Sequence, residues 1–421
     1  MTDIHAPARY EAHLLPPIAS PTAQDFAGLA DPEIIWEDAR WFRFTERTDL
    51  HEVRYLELRE GGRTVALAPL LITPKPGGLL FYDPPRLAGT PGALAEPELL
   101  DPFDQQRWAE LTATLPAADQ YPSLALATFG NHHGVAHAPG RAVEGRRAVM
   151  AALPELLLQT AAELGCRSVA LLYVGEPEAA DVDQSASRAG YASTLLGAEG
   201  VLELPDTSWE GYLAGLSKRR RYQVRKELRN YAAAGFRTVI RTGPDAITDD
   251  LDDLVALQVA HRAKYGLPGG EDRVRRDLIA VRDELGESCV VLSAERDGQM
   301  GSFTLYLRTR DALFARTGGT APDAKGCYFA VDYHETARWA VEQEIRRIHY
   351  GLAAYEAKVT RGCELRPRWG WFAFQGTQAD TYREVLALQS QSIERQLGLV
   401  GAPATPVPSR TAVTSNSGAR Q

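Results

Sequence analysis

Two stretches of this chain share one grammar of apolar and polar positions. Residues 53–59 and 64–72 alternate or run apolar on either side of Glu60-Gly-Gly-Arg63, and two such runs around a glycine pair predict a β-hairpin. The same arrangement returns at 288–295 and 300–307, around Asp297-Gly298. A third short strand is expected after each hairpin, at 79–82 and at 312–315. A helix and a further apolar strand then follow, 151–164 with 168–174 in the first case and 331–343 with 347–353 in the second. The residues differ between the two stretches, but the order of elements repeats. Antiparallel hairpins followed by a helix that crosses to another strand imply an α/β (α+β) protein of two tandem halves, each a mixed, mostly antiparallel sheet flanked by helices. The division is expected at 1–204 and 205–398, with 399–421 as a disordered tail too poor in apolar residues to pack.

Size and charge agree with that picture. The chain has 421 residues, 44% apolar and 24% charged, more than one ordinary core accommodates. Its net charge of -9 argues against broad coating of nucleic acid, so no DNA partner is expected, while leaving room for a local basic patch. No apolar run is long enough to span a bilayer. The first residues, Met1-Thr-Asp-Ile-His-Ala-Pro, lack the basic start and apolar centre of a secretion signal. A cytoplasmic protein without a membrane partner is the resulting expectation. Cys166, Cys289, Cys327 and Cys363 have no paired spacing and are expected as buried apolar groups.

Chemistry-bearing residues concentrate in the second half. Residues 216–231 form the most basic segment, with Ser217 as its cap, Tyr222, Leu228 and Tyr231 as its buried stripe and Gly235 as its end. Arg221, Arg225 and Arg229 share one face at four-residue spacing, and Arg219 lies two residues before Arg221 in the same basic run. Like charges so placed repel each other. Either water solvates them or an anion relieves the cost, and phosphates of tRNA or of a cofactor-like donor are the candidates. Further on, Arg316-Thr-Gly318-Gly319 could form a phosphate-holding nest. Asp332 is placed as a helix cap or substrate contact, and His334 as a base. His349 faces either a cleft or solvent. Glu356 and Lys358, read at the end of a strand, project to one side at two-residue spacing. Arg361 before Gly362 suits a carboxylate or phosphate. Tyr265, after an amphipathic helix, is placed in an acceptor pocket between the halves. The pair His132-His133 has no third metal ligand nearby in sequence, so no metal is expected. No GxSxG elbow or Ser, His, Asp order supports a covalent acyl-enzyme.

The opening Leu216-Ser-Lys-x-Arg-Arg, the Arg-rich helix closing in Ala-Gly-Phe236 and the later Glu356-Ala-Lys358-x-x-Arg361-Gly362 together resemble the FemAB-like branch of the GNAT acyltransferase superfamily. The resemblance covers roughly residues 50–390 and is firmest over 205–370. It implies two GNAT-like halves in one chain and an enzyme that forms an amide bond. The implied reaction passes an aminoacyl group from aminoacyl-tRNA directly to the amine of a small-molecule or peptide-like acceptor. It also implies that Lys358 stabilises the oxyanion of the tetrahedral intermediate, as a fixed cation can where water is excluded. No cofactor is implied, because the donor is itself a substrate. The Arg/Gln-x-x-Gly-x-Gly/Ala turn with which acetyl-CoA-dependent GNAT members hold pyrophosphate is missing from 316–326, which favours tRNA over CoA as the donor. Acyl-CoA-dependent N-acylation and a non-catalytic double-GNAT scaffold remain the alternatives.

Overall fold

The computed structural model describes residues 9–18, 29, 33–47, 50–90, 92–116, 118–204, 208–264, 270–324 and 326–401. The expected disordered tail beyond Gly401, the turn at 205–207 and Tyr265 lie outside these residues. Thirteen strands form one sheet. They are β1 (Glu11–Leu15), β2 (Glu52–Glu60), β3 (Arg63–Thr73), β4 (Ser123–Leu126), β5 (Ala136–His137), β6 (Ser168–Val174) and β7 (Ala192–Glu203), then β8 (Arg237–Thr242), β9 (Cys289–Arg296), β10 (Gln299–Arg308), β11 (Ala312–Thr320), β12 (Arg347–His349) and β13 (Glu364–Phe374). Their order across the sheet is β1-β2-β3-β4-β6-β13-β7-β12-β11-β10-β9-β8, with β5 beside β3.

The repeat expected from the pattern is visible in the pairing. In each half an antiparallel trio ends on a parallel pair: β2, β3 and β4 with β6, then β9, β10 and β11 with β12. The two parallel pairs are the only ones among the described strands, and each is crossed by helical chain, Val143–Glu163 in the first half and 327–342 in the second. The strand β13 is late in sequence but lies between β6 and β7. The following helix, Ala379–Leu399, docks on β7, where Thr194 Oγ1 donates to the Leu386 carbonyl at 2.9 Å. Trp369 and Trp371 of β13 are fully buried, as their place in an apolar strand predicts, and the Trp371 indole donates to Asp183 at 2.9 Å.

Three expectations about elements fail, each for a local reason. Residues 79–82 are not a strand. Leu80–Tyr82 is a 3-10 turn, closed by Tyr82 N donating to the Leu79 carbonyl, because Asp83 caps a helix that begins with two prolines. The third strand of the first half is β4 instead. Residues 331–343 are not one regular helix: Ala330–Glu335 is a π-helical turn, and the Thr336 hydroxyl bonds the Val331 carbonyl five residues back at 2.7 Å. Gly318 and Gly319 form no nest, because both lie within β11. A Cβ on Gly319 would stand 2.5 Å from the Leu257 backbone, so glycine lets the helix Leu251–Lys264 press against the strand. All four cysteines are free and buried.

Candidate active site

The second parallel pair is short. β11 and β12 are in register only from Ala312/Arg347 to Phe314/His349. Beyond that point β11 continues with β10, while Tyr350 N bonds the Gly200 carbonyl and Gly200 N bonds the Gly351 carbonyl on β7. The strands therefore part at their carboxyl ends, where ligands enter α/β sheets. Residues 349–352 form one wall of that opening.

Lys358 closes this wall. It does not stand on a strand: Tyr355–Thr360 is a helix, entered through Gly351, Ala353 and Ala354 at φ 68°, 63° and 50°. Left-handed backbone at two alanines is strained, and the turn aims two carbonyls at one cation. Lys358 Nζ donates to Gly351 O at 2.7 Å and Leu352 O at 2.8 Å, so one of its three N–H groups is uncommitted among the described residues. Only 3% of the residue is exposed. Burial lowers its pKa to about 8, against the pull of Cys363, Asp332 and Glu199. Helical geometry also separates Glu356 from Lys358, since two-residue spacing puts them on opposite faces. Glu356 is exposed, so the expected shared side is corrected.

Asp332 is likewise not a cap. It lies inside the π-helical turn, buried, and accepts from Tyr306 at 3.0 Å and Thr304 at 3.1 Å. Burial raises its pKa against those hydrogen bonds and the nearby Lys358.

His334 and Arg361 are drawn away from the opening by Glu227, a residue that no sequence motif marks. Glu227 accepts from His334 Nε2 at 2.5 Å and from Arg361 Nη2 at 3.1 Å. Burial opposes its charge, but these partners and Gln223 bring its pKa down to about 2. His334 is wholly buried, and Arg361 is sandwiched against Phe329 at 3.6 Å from the ring centre. Neither is open to a substrate, so His334 is not placed to act as base, nor Arg361 to hold a phosphate. Glu227 is the only acid in the helix Lys218–Ala233, and a lone acid among so many bases was the available signal.

That helix is capped by Ser217, whose hydroxyl accepts from Arg220 N. Its inner face carries Val224 and Tyr231 rather than Tyr222, which is 61% exposed. Arg221 leaves the basic stripe to cap the preceding helix, donating to the carbonyls of Leu213, Ala214 and Leu216. Lys218, Arg219, Arg225, Lys226 and Arg229 point outward, exposed, and their side chains have no hydrogen-bond or ion-pair partner among the described residues.

Between the halves lies a cavity of about 870 Å³. The first half contributes Phe44 and residues 79–82 and 129–130; the second contributes parts of the helices Leu251–Lys264 and Glu271–Leu285 and residues 316–318. Arg47, Arg262, Arg273, Arg276 and Arg316 line it against one acid, Asp277. Arg316 pairs with Asp277 at 2.8 Å and lies 5.3 Å from the Phe44 ring centre. Burial, with Arg273 and Arg316 nearby, lowers the pKa of Arg262. Arg316, expected as a donor contact, lines this cavity; Gly318 lines the wall as part of a strand, and Lys358 does not line it. His261 lines it too. The arginines at 262, 273 and 276 come from two helices and converge only in the fold.

A second charged group lies on the His349 side of the sheet. His349 Nδ1 meets Glu199 Oε1 at 3.1 Å, and Arg368 pairs with the other carboxylate oxygen. Nearby, Glu37, His132 and His133 bring one potential ligand atom each within 4.8 Å of one another, so the fold supplies the third metal ligand that the sequence reading found missing. The hydrogen bonds answer the question instead. Each ring accepts a backbone N–H at Nδ1, His132 from Gly134 and His133 from Val135, both at 3.0 Å. A neutral ring so held carries its proton on Nε2, whereas a metal-bound ring needs a bare nitrogen there and donates from the other. Burial lowers the pKa of His132 to about 3 and holds that of His133 well below its ordinary value.

Comparison with known proteins agrees with this architecture. The sequence profile of FemAB-like proteins, described by peptidoglycan biosynthesis and recognition, matches residues 102–397. No curated protein matches the sequence. Among solved structures, FemX superposes with a TM-score of 0.51 at 10% identity, over 81% of this chain and 92% of its own. A tandem GNAT protein from the clavulanic acid biosynthesis pathway gives 0.48 at 16% identity, over 87% and 99%. The C-terminal domain of a putative lysylphosphatidylglycerol synthetase from Agrobacterium fabrum gives 0.49 at 14%, over 88% and 95%. The likeness to FemX is one of fold.

Proposed function

The chain belongs to the FemAB-like family and is an amide-forming acyltransferase of two GNAT-like halves, and from that premise we propose that its donor is an aminoacyl-tRNA and its acceptor a small-molecule amine. The observation that carries the reading is the helix Lys218–Ala233. Its outer face holds five exposed, unpaired cations, and its inner face is tied through Glu227 to Arg361, one turn of helix from Lys358. Phosphates bound outside are thereby held in fixed relation to the opening between β11 and β12. Gly318 and Gly319 are strand residues and offer no phosphate-holding nest to either donor, which leaves the basic helix as the surface for donor phosphates. The acceptor amine enters from the cavity between the halves, on the side where Arg316 leads along its strand to Phe314 and the stacked His349.

In this reaction the acceptor nitrogen attacks the donor ester carbonyl, and negative charge collects on its oxygen. Lys358, with two N–H groups fixed by its own loop, directs the third at that oxygen. No side chain forms a covalent intermediate. The test is incubation of the purified protein with a charged tRNA pool, or with acyl-CoAs, in the presence of metabolite extract, with products read by mass spectrometry. Aminoacyl amides formed only with tRNA support the reading; acylated products formed only with acyl-CoA overturn it.

A further inference from the structure

Resting on the reading that this chain acylates an amine, we infer that His349 is the base that accepts the amine's proton and that Glu199 is the positioning residue that fixes its tautomer. The argument starts from the carboxylate. Glu199 is buried, and burial opposes its charge, yet Arg368 and His349 hold its pKa well below the usual range. An ionised carboxylate can only accept hydrogen bonds. Since Glu199 Oε1 lies 3.1 Å from His349 Nδ1, the proton of the neutral ring sits on Nδ1 and the lone pair on Nε2.

That lone pair is available. Nε2 of His349 has no hydrogen-bond partner among the described residues, and 15% of the side chain is exposed. The ring is held flat on Phe314, centroids 4.5 Å apart and 12° from parallel. His349 is the last residue of β12 paired with β11, and Lys358 grips the carbonyls two and three residues later. Base and cation thus belong to one strand end and lie on its two faces: His349 shares a face with Glu199 and Val201, while the Lys358 chain crosses the face of Gly200. The charged and titratable groups near the ring are the ionised Glu199 from β7, Arg368 from β13 and the neutral His132 from the loop before β5, with Lys358 close enough to feel Glu199. The other candidate bases do not qualify: His334 is sealed against Glu227, and Glu356 is exposed on the far side of its helix.

The step balances without a co-reactant. The amine nitrogen bonds to the acyl carbon as the carbonyl electron pair moves to oxygen, and His349 Nε2 takes one N–H proton. Collapse re-forms the carbonyl and breaks the bond to the donor ester oxygen, which takes the proton back from the imidazolium. Each partner is set by a different strand, which is why spacing in sequence does not reveal the pair.

The test uses the full chain with hydroxylamine as the amine probe and, separately, a charged tRNA pool or acetyl-CoA as donor, counting hydroxamate above the uncatalysed rate. His349→Gly is expected to lose roughly 100-fold or more in kcat, with KM little changed, and to recover with added imidazole. Glu199→Ala is expected to lower kcat with KM unmoved and to bring up the Nε2–H tautomer of His349 in 15N-histidine NMR spectra, where the wild type shows Nδ1–H. If the wild-type protein makes no hydroxamate from either donor, the acyl-transfer reading falls and the base falls with it. If the wild type is active, three results overturn the base alone: full activity in His349→Gly, an inactive but folded His349→Gly that imidazole does not rescue, or a wild-type ring protonated on Nε2.

Discussion

Replacing Lys358 by methionine removes a buried cation while keeping most of its volume, and two separate consequences can be worked from the structure. The first concerns folding. The lysine pKa falls from 10.5 in the open chain to about 8 in the fold, and at 1.36 kcal/mol per unit this is a penalty of roughly 3 kcal/mol for keeping the ammonium folded. Because the folded pKa is the lower one, the folded state binds fewer protons between pH 8 and 10.5. Wild-type stability should therefore rise with pH across that window, and in Lys358→Met the rise should vanish. Against the relieved penalty, the carbonyls of Gly351 and Leu352 lose their donor, at a cost of about 1–3 kcal/mol each. The two effects nearly offset, so the variant should remain folded. The second consequence is catalytic. Losing one preorganised donor to a developing oxyanion costs about 3–4 kcal/mol, or 100- to 1,000-fold in kcat. The assay is hydroxamate or amide formation across pH 6.5–9.5, alongside urea unfolding, in roughly half-unit steps. Wild-type activity should decline above about pH 8 as the ammonium loses its proton. A folded Lys358→Met with kcat within a few-fold of wild type refutes the oxyanion role, as does a wild-type rate that climbs through pH 8.

Other expectations follow from the same geometry. Glu227→Gln weakens the pairing of His334 and Arg361 and should cost about 3 kcal/mol in urea unfolding. The wild-type contribution of this carboxylate is present above 4.5 and lost as pH falls toward 2, the folded value, so the gap between wild type and variant should close in that range. Arg225→Glu with Arg229→Glu should leave stability within about 0.5 kcal/mol yet weaken tRNA binding and reduce the slope of log affinity against log salt by about 2. Gly319→Ala places a Cβ 2.5 Å from the Leu257 backbone and should destabilise by about 1–3 kcal/mol, measured as a lower urea midpoint.

Much of the architecture was legible in the chain. Period-two runs around Gly61-Gly62 and Asp297-Gly298 marked both hairpins, because that alternation is a local consequence of one buried sheet face. What local pattern could not supply was long-range pairing. Nothing in residues 364–374 says that they will enter the sheet between β6 and β7. The site shows the same limit. Lys358 was found through a resemblance, but its helix was read as a strand end because the turn at Ala353 and Ala354 uses left-handed backbone that alanine rarely adopts. The local sequence places Asp332 and His334 at a helix start, where side chains face solvent. The π-helical turn instead rotates both into the interior. Glu227, Glu199 and Arg368 were missed because each matters only through a partner more than a hundred residues away in sequence.

The central claim is that the acyl group comes from aminoacyl-tRNA, and its most direct measurement is single-turnover transfer. The protein in excess is mixed with a pool of tRNA carrying radiolabelled amino acids and with a metabolite extract containing candidate amines. Label should pass into a small amide product at a rate that collapses when the tRNA is digested beforehand or when Arg225 and Arg229 are reversed in charge. Label remaining on tRNA, together with amide formation from an acyl-CoA under the same conditions, contradicts the account.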